Sequence, residues 1–108
     1  MITNQKSVTQ ARADVRNGAS QSGHSAQQLS DHLDYVLGLL ETANTLGDVK
    51  LGLILRYTKA APAKTHWAYL VRGQVGGPYG VKVEFEWNEP YADDLNIIWE
   101  NRFYAPGP

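Results

Sequence analysis

The chain contains no cysteine. That single absence removes a disulfide framework, a thiolate zinc site, an iron–sulfur site and a cysteine nucleophile. Net charge is nearly absent as well: 10 Lys and Arg against 11 Asp and Glu leave −1 over 108 residues. No overall field therefore recruits nucleic acid or an anionic membrane. Long hydrophobic runs are missing. No apolar stretch approaches the ~18 residues of a membrane span. Residues 1–24 lack the apolar core of about 7–15 residues that a secretory signal needs. The default expectation is a cytoplasmic protein without a membrane partner.

Serine is scarce where catalysis would need it. All five serines (Ser7, Ser20, Ser22, Ser25, Ser30) lie at or before the start of the main helical pattern. Ser30, His32 and Asp34 fall on one helical turn and point in different directions, so no Ser–His–Asp triad is expected. The histidines are His24, His32 and His66, and neither an H-E-x-x-H nor an EF-hand pattern occurs. Neighbouring helical positions diverge by about 100°, which also separates Asp31, His32 and Asp34. No metal and no cofactor are expected.

Residues 1–24 are mostly polar, with Met1, Ile2, Val8 and Val15 the sizeable apolar side chains. Ser7 and Gln10 fit a capping box and Asn17-Gly18 a helix stop, with Val8, Ala11 and Val15 on one face. A helix of nine or ten residues does not hold alone in water. This segment either docks as a short extra helix or stays loose, ahead of a single domain over 25–108. Residues 26–45 carry the clearest pattern. Ser25 and Gln28 form a second capping box, and Leu29, Leu33, Val36, Leu37, Leu40 and Ala43 make a continuous stripe. Tyr35, Leu39 and Leu46 widen it, Gly47 reads as the left-handed C-terminal turn, and Gly38 suggests a close approach.

Beyond Gly47 the hydrophobic period changes to two. Strands are predicted over 49–58, 66–72, 81–88 and 95–103, joined by 59–64, 73–80 and 89–94. The connections hold Pro62, Pro78 and Pro90, and their lengths favour antiparallel neighbours. The glycine-rich loop 73–80 is not followed by a helix and reads as a hairpin connection rather than a phosphate cradle. The expected fold class is α+β: one main N-terminal helix packed on a four-stranded antiparallel β-meander.

In this register Trp67, Tyr69, Val71, Val83, Phe85, Trp87, Leu95, Ile97 and Trp99 face the helix. The open face then carries Ile54, Ala68, Leu70 and Ile98 among Arg56, Arg72 and other charges. Residues Ile54, Arg56, Ala68, Leu70, Arg72 and Ile98 are thus the candidate interface of a small non-enzymatic interaction protein, a homo-oligomer or one that binds a protein partner. The alternative is a small enzyme or a domain binding a small organic ligand. Its pocket, between helix and sheet, would be lined by Tyr57, Trp67, Tyr69, Trp87, Trp99 and Asn101. His66 with Glu84, Glu86 and Glu100 on the open face is the one acid–base constellation.

Charge is unevenly spread along the chain: residues 1–72 sum to +3 and residues 73–108 to −4. Antiparallel pairing sets basic strands beside acidic ones. Lys50, Arg56, Lys59, Lys64 and Arg72 interleave with aromatics, as single-strand binders do. The acidic residues predicted on the same face argue against nucleic acid as the partner.

Overall fold

The computed structural model describes residues 1–52, 55–57, 64–71 and 80–100. Three helices lie N-terminal to an antiparallel sheet. They are α1 (Gln5–Ser22), α2 (Ala26–Thr42) and α3 (Leu46–Gly52), followed by β1 (Leu55–Tyr57), β2 (Thr65–Val71), β3 (Gly80–Asn88) and β4 (Tyr91–Glu100). The sheet order is β1-β2-β3-β4. Three strands are of full length, and β1 adds three residues to one edge. Residues 53–54, 58–63, 72–79 and 101–108 lie outside the described residues, and with them most of the predicted connections 59–64 and 73–80 and the end of the predicted strand 95–103.

The polar segment forms a helix almost twice the expected length. Asn4, not Ser7, is its N-cap: the Asn4 side chain accepts from the Ser7 N–H at 3.2 Å, and the Ser7 hydroxyl donates to the Asn4 carbonyl at 2.6 Å. Asn17 and Gly18 lie inside it, and the helix stops at Gly23, whose φ of 78° needs the freedom of glycine. The predicted face is the one that packs. Ala11, Val15 and Ala19 are buried, Val8 lies against them, and α1 seats on α2 and β4. Ahead of it, Ile2 forms a parallel bridge with Ala92. The Thr3 N–H donates to the Ala92 carbonyl at 3.0 Å, and the Ala92 N–H to the Met1 carbonyl at 2.8 Å. This strap pairs the β4 edge at Ala92, near its start, where the strand would otherwise offer unpaired backbone groups.

Gly18 fixes how closely α1 approaches the sheet. A Cβ built there would stand 2.3 Å from the Trp99 ring, so the indole lies directly on the helix backbone. Alanine is the better helix former by about 1 kcal/mol. Gly18→Ala nevertheless destabilises, because overpacking a rigid ring costs roughly 1–3 kcal/mol. Thermal melts of Gly18→Ala and of Gly18→Ala with Trp99→Leu check this. The single variant melts lower and the double variant recovers part of the loss; a single variant melting above the parent contradicts the packing.

Helix α2 follows the sequence pattern closely. The Ser25 hydroxyl accepts from the Gln28 N–H at 3.0 Å, and Leu29, Leu33, Val36, Leu37 and Leu40 are buried. Gly38 departs from expectation: no atom lies within 4 Å of a Cβ built there, so packing does not account for this glycine. Tyr35 does not widen the buried stripe; it is 57% exposed.

The predicted strand over 49–58 is corrected. Its first part is α3 (to Gly52), its described strand is Leu55–Tyr57, and residues 53, 54 and 58 lie outside the described residues. The cause is a reciprocal cap. The Asp48 N–H donates to Thr45 Oγ1 at 3.2 Å, while Asp48 Oδ2 accepts from the Asn44 and Thr45 N–H groups, both at 3.1 Å. This is a capping box with Asp in place of Glu, and it turns Val49 into the core. Gly47 lies in the first turn of α3 and does not end α2, whose C-cap is Ala43 in an extended conformation.

Two bulges decide which side chains face the helices. Between β3 and β4, Glu84 pairs with Asn96 and Glu86 with Asp93, so Asp94 and Leu95 together oppose Phe85. Asp94 takes a φ of 50° there. The extra residue resets the alternation: Ala92 before it and Leu95, Ile97 and Trp99 after it all face the core. Between β2 and β3, Tyr69 pairs with Lys82 and Val71 with Val81, so Leu70 is the extra residue. The predicted 89–94 loop shrinks to a tight turn across a cis Glu89–Pro90 bond, and Asn88 pairs with Tyr91.

Strand β2 is turned over relative to the sequence reading. His66, Ala68 and Leu70 are buried, while Trp67 and Tyr69 lie on the other side of the sheet. Directly opposite residues of an antiparallel pair share a face. Ala68 sits opposite Val83 and His66 opposite Phe85, and both partners are core residues. With alternation of period two, one step of register exchanges the faces of a whole strand.

Candidate functional site

All three helices contribute to one core beneath the sheet, and no described element covers its other face. The pairing register sets out that open face in rows. Trp67 lies beside Glu84 and Asn96, Tyr69 beside Lys82 and Ile98, and Thr65 beside Glu86 and Asp93. Trp67, Tyr69 and Ile98 are half-buried, so a substantial part of each ring or chain meets solvent.

The centre of the face is a cation among aromatics. Lys82 Nζ stands 3.8 Å from the centroid of the Trp67 ring and 6.0 Å from that of Tyr69. Lys82 is only 6% exposed, so its aliphatic stem and its ammonium are both largely withdrawn from water. The Trp67 indole N–H donates to Glu84 Oε2 at 2.7 Å, which fixes the ring plane over the lysine. Neighbouring polar groups are equally well placed. The Asn88 amide donates to Glu86 Oε1 at 3.1 Å and to Asp93 Oδ2 at 2.7 Å, and Asn88 Oδ1 accepts from Lys64 Nζ at 2.9 Å. Asp93 Oδ1 accepts from the Thr3 hydroxyl. Glu84, Glu86 and Asp93 have no ion pair with a described residue; the ion pair among the described residues is Arg12–Asp34, on the helices.

The predicted interface set divides. Ile98 lies on the open face, and Arg56 pairs with Trp67 on the short edge strand. Ala68 and Leu70 are corrected to the core under α2, where His32 Nδ1 meets the Leu70 carbonyl. Ile54 and Arg72 lie outside the described residues.

The pocket set divides across the sheet as well. Trp87 and Trp99 face the helices, whereas Trp67 and Tyr69 are corrected to the opposite face. Tyr57 pairs with His66 at the short strand, and Asn101 lies outside the described residues. The acid–base constellation is corrected in the same way. His66 is 1% exposed on the core side, stacked on Phe85 with ring centroids 5.8 Å apart. Glu84 and Glu86 lie on the far side of the sheet, and Glu100 pairs with Gly80 at its end. A proton cannot pass between His66 and these carboxylates through a packed sheet.

The Lys82–Trp67–Tyr69 cluster is the feature that sequence reasoning missed. Its signal was present: Trp67 and Tyr69 alternate with His66, Ala68 and Leu70, and either set can face a core. Among the described residues no group of three or more metal-ligating side chains converges, and no helix is long and apolar enough to cross a membrane. Comparison with protein-family models, curated proteins and solved structures finds no match, so the open face stands on its own geometry.

Proposed function

We propose that the protein is a small non-enzymatic interaction protein that docks a protein partner through the open face of its sheet. One observation carries the reading: Trp67, Tyr69 and Ile98 lie half-buried around the withdrawn ammonium of Lys82, each with part of its surface in solvent. Aromatic side chains give large contact area for little lost rotamer freedom, and they anchor protein interfaces more often than other residues. The Trp67–Glu84 bond and the Lys82 contact hold the ring before any partner arrives, which lowers the ordering cost of binding.

Panning a random peptide library against the full chain tests this, with Tyr69→Ser/Ile98→Ser as the counter-target. Selected peptides are expected to bind the parent at least about tenfold more tightly than the double variant, as loss of an interface anchor requires. Light scattering on the same samples reads whether a second copy occupies the face. A chain that stays monomeric at millimolar concentration, and yields only peptides indifferent to the double variant, ends the proposal.

A further inference from the structure

We propose that the occupant of the open face is an extended, arginine-bearing segment of a partner protein, with an apolar side chain over Tyr69 and Ile98 and a guanidinium over Glu86 and Asp93. The inference rests on the docking reading above and adds the chemistry of the partner.

Charge complementarity carries it. Three carboxylates, Glu84, Glu86 and Asp93, lie on this face without an ion pair to a described cation. Glu86 and Asp93 are cross-strand partners on one face, an arrangement of like charges that destabilises a sheet. A single Asn88 amide bridges them, and an amide supplies hydrogens without neutralising charge. A guanidinium supplies both. Its planar fork of five donors reaches two carboxylates at once, where an ammonium acts as a point charge. The cations already on this face do not fill that role: Lys82 is directed to the Trp67 ring, and Lys64 donates to the Asn88 amide oxygen rather than pairing with either carboxylate.

Position narrows the partner further. Lys82 and Glu86 are four residues apart on β3, or about 13 Å along the strand. An extended segment covers that distance with an apolar and a basic side chain four positions apart, both on its inward side. Helix α1 of a second copy is a poorer fit. The basic residues of α1 are Lys6, Arg12 and Arg16, with Asp14 among them and Arg12 engaged by Asp34.

The test uses two synthetic peptides of equal length with serine at the remaining positions, one carrying leucine and arginine four positions apart and the other leucine and glutamate four positions apart, so that both side chains fall on one face of the extended peptide, titrated into the ¹⁵N-labelled full chain. The arginine peptide is expected to shift the Trp67 indole N–H and the amides of Tyr69, Glu86 and Asp93, with weaker binding as salt rises. The glutamate peptide leaves them unmoved. Glu86→Gln/Asp93→Asn, confirmed folded by its thermal melt, is expected to lose about tenfold in affinity as a charge-assisted fork is lost. Asp31→Asn/Asp34→Asn removes the same charge from α2 and leaves affinity unchanged. Equal losses in the two variants, equal binding of the two peptides, no binding of the arginine peptide at millimolar concentration, or shifts confined to α1 and α2 each overturn the proposal. Library peptides that need Tyr69 and Ile98 but carry no arginine overturn the arginine segment while sparing the docking face. A dimer dissociated by Ile98→Arg does the same in favour of a second copy.

Discussion

Leu70→Arg abolishes cooperative folding, whereas Ile98→Arg leaves the fold intact. The two residues are both apolar and both in strands, but the sheet separates them. Leu70 is 4% exposed beneath α2, and Ile98 pairs with Lys82 on the face turned to water. At Leu70 the substitution removes the burial of a leucine side chain, about 1.5–3 kcal/mol. It also forces a charge into the core with no partner, and an uncompensated buried charge costs roughly 3–5 kcal/mol. The sum, roughly 4.5–8 kcal/mol, spans the lower end of the ~5–15 kcal/mol that holds a natural domain folded. At Ile98 the guanidinium stays in water and the change is within about 1 kcal/mol, the ordinary range for surface positions. Circular dichroism melts and urea titrations of both variants make the comparison. A cooperative Leu70→Arg melt near the parent temperature, or loss of structure in Ile98→Arg, reverses the assignment of faces.

Phe85→Ala is the second large effect, a loss of about 3–5 kcal/mol. Phe85 is fully buried, faces the Asp94–Leu95 bulge and stacks on His66. The surrounding side chains come from strands whose positions the bulge fixes, so they collapse poorly into the cavity that is left. At roughly 4–8 °C per kcal/mol for a domain near this size, the melting temperature falls by about 12 °C or more, or about 24 °C at mid-range. His66→Ala removes the other half of the stack. In a double-mutant cycle the combined variant should cost less than the two singles added, by about 0.5–1.5 kcal/mol for an aromatic pair. Strict additivity would mean that the rings do not support one another.

The start and the buried stripe of helix α2 were legible because the Ser25 cap and the apolar spacing lie within one stretch of chain; its end was not, since Gly47 belongs to α3. The packing face of α1 was legible too, although not its length: Asn17-Gly18 has the composition of a stop, and only Trp99 arriving from β4 gives Gly18 another reason. The alternation over 49–58 looked like strand because the Thr45–Asp48 cap, a pattern of the same kind as that at Ser25, carries Asp where Glu or Gln is usual. The cysteine-free composition and the early serines bore on chemistry, and nothing in the fold alters them.

What the chain determined by itself is therefore local: the α+β class, the helix stripes, strand β3, and β4 from Leu95 onward, with their apolar and charged sides. Those features depend on neighbours within one or two turns or along one strand. What the tertiary structure decided is which side of β2 is inside. Trp67 and Tyr69 compete with Ala68 and Leu70 for the same core, and the strand alone does not rank them. The choice comes from register: Ala68 opposite Val83 and His66 opposite Phe85 bring small and flat side chains beneath the helices. The aromatic pair is left to meet Lys82 on the open side. Because strand alternation has a period of two, that one non-local choice moved the candidate interface from Ala68 and Leu70 to Trp67, Tyr69 and Lys82.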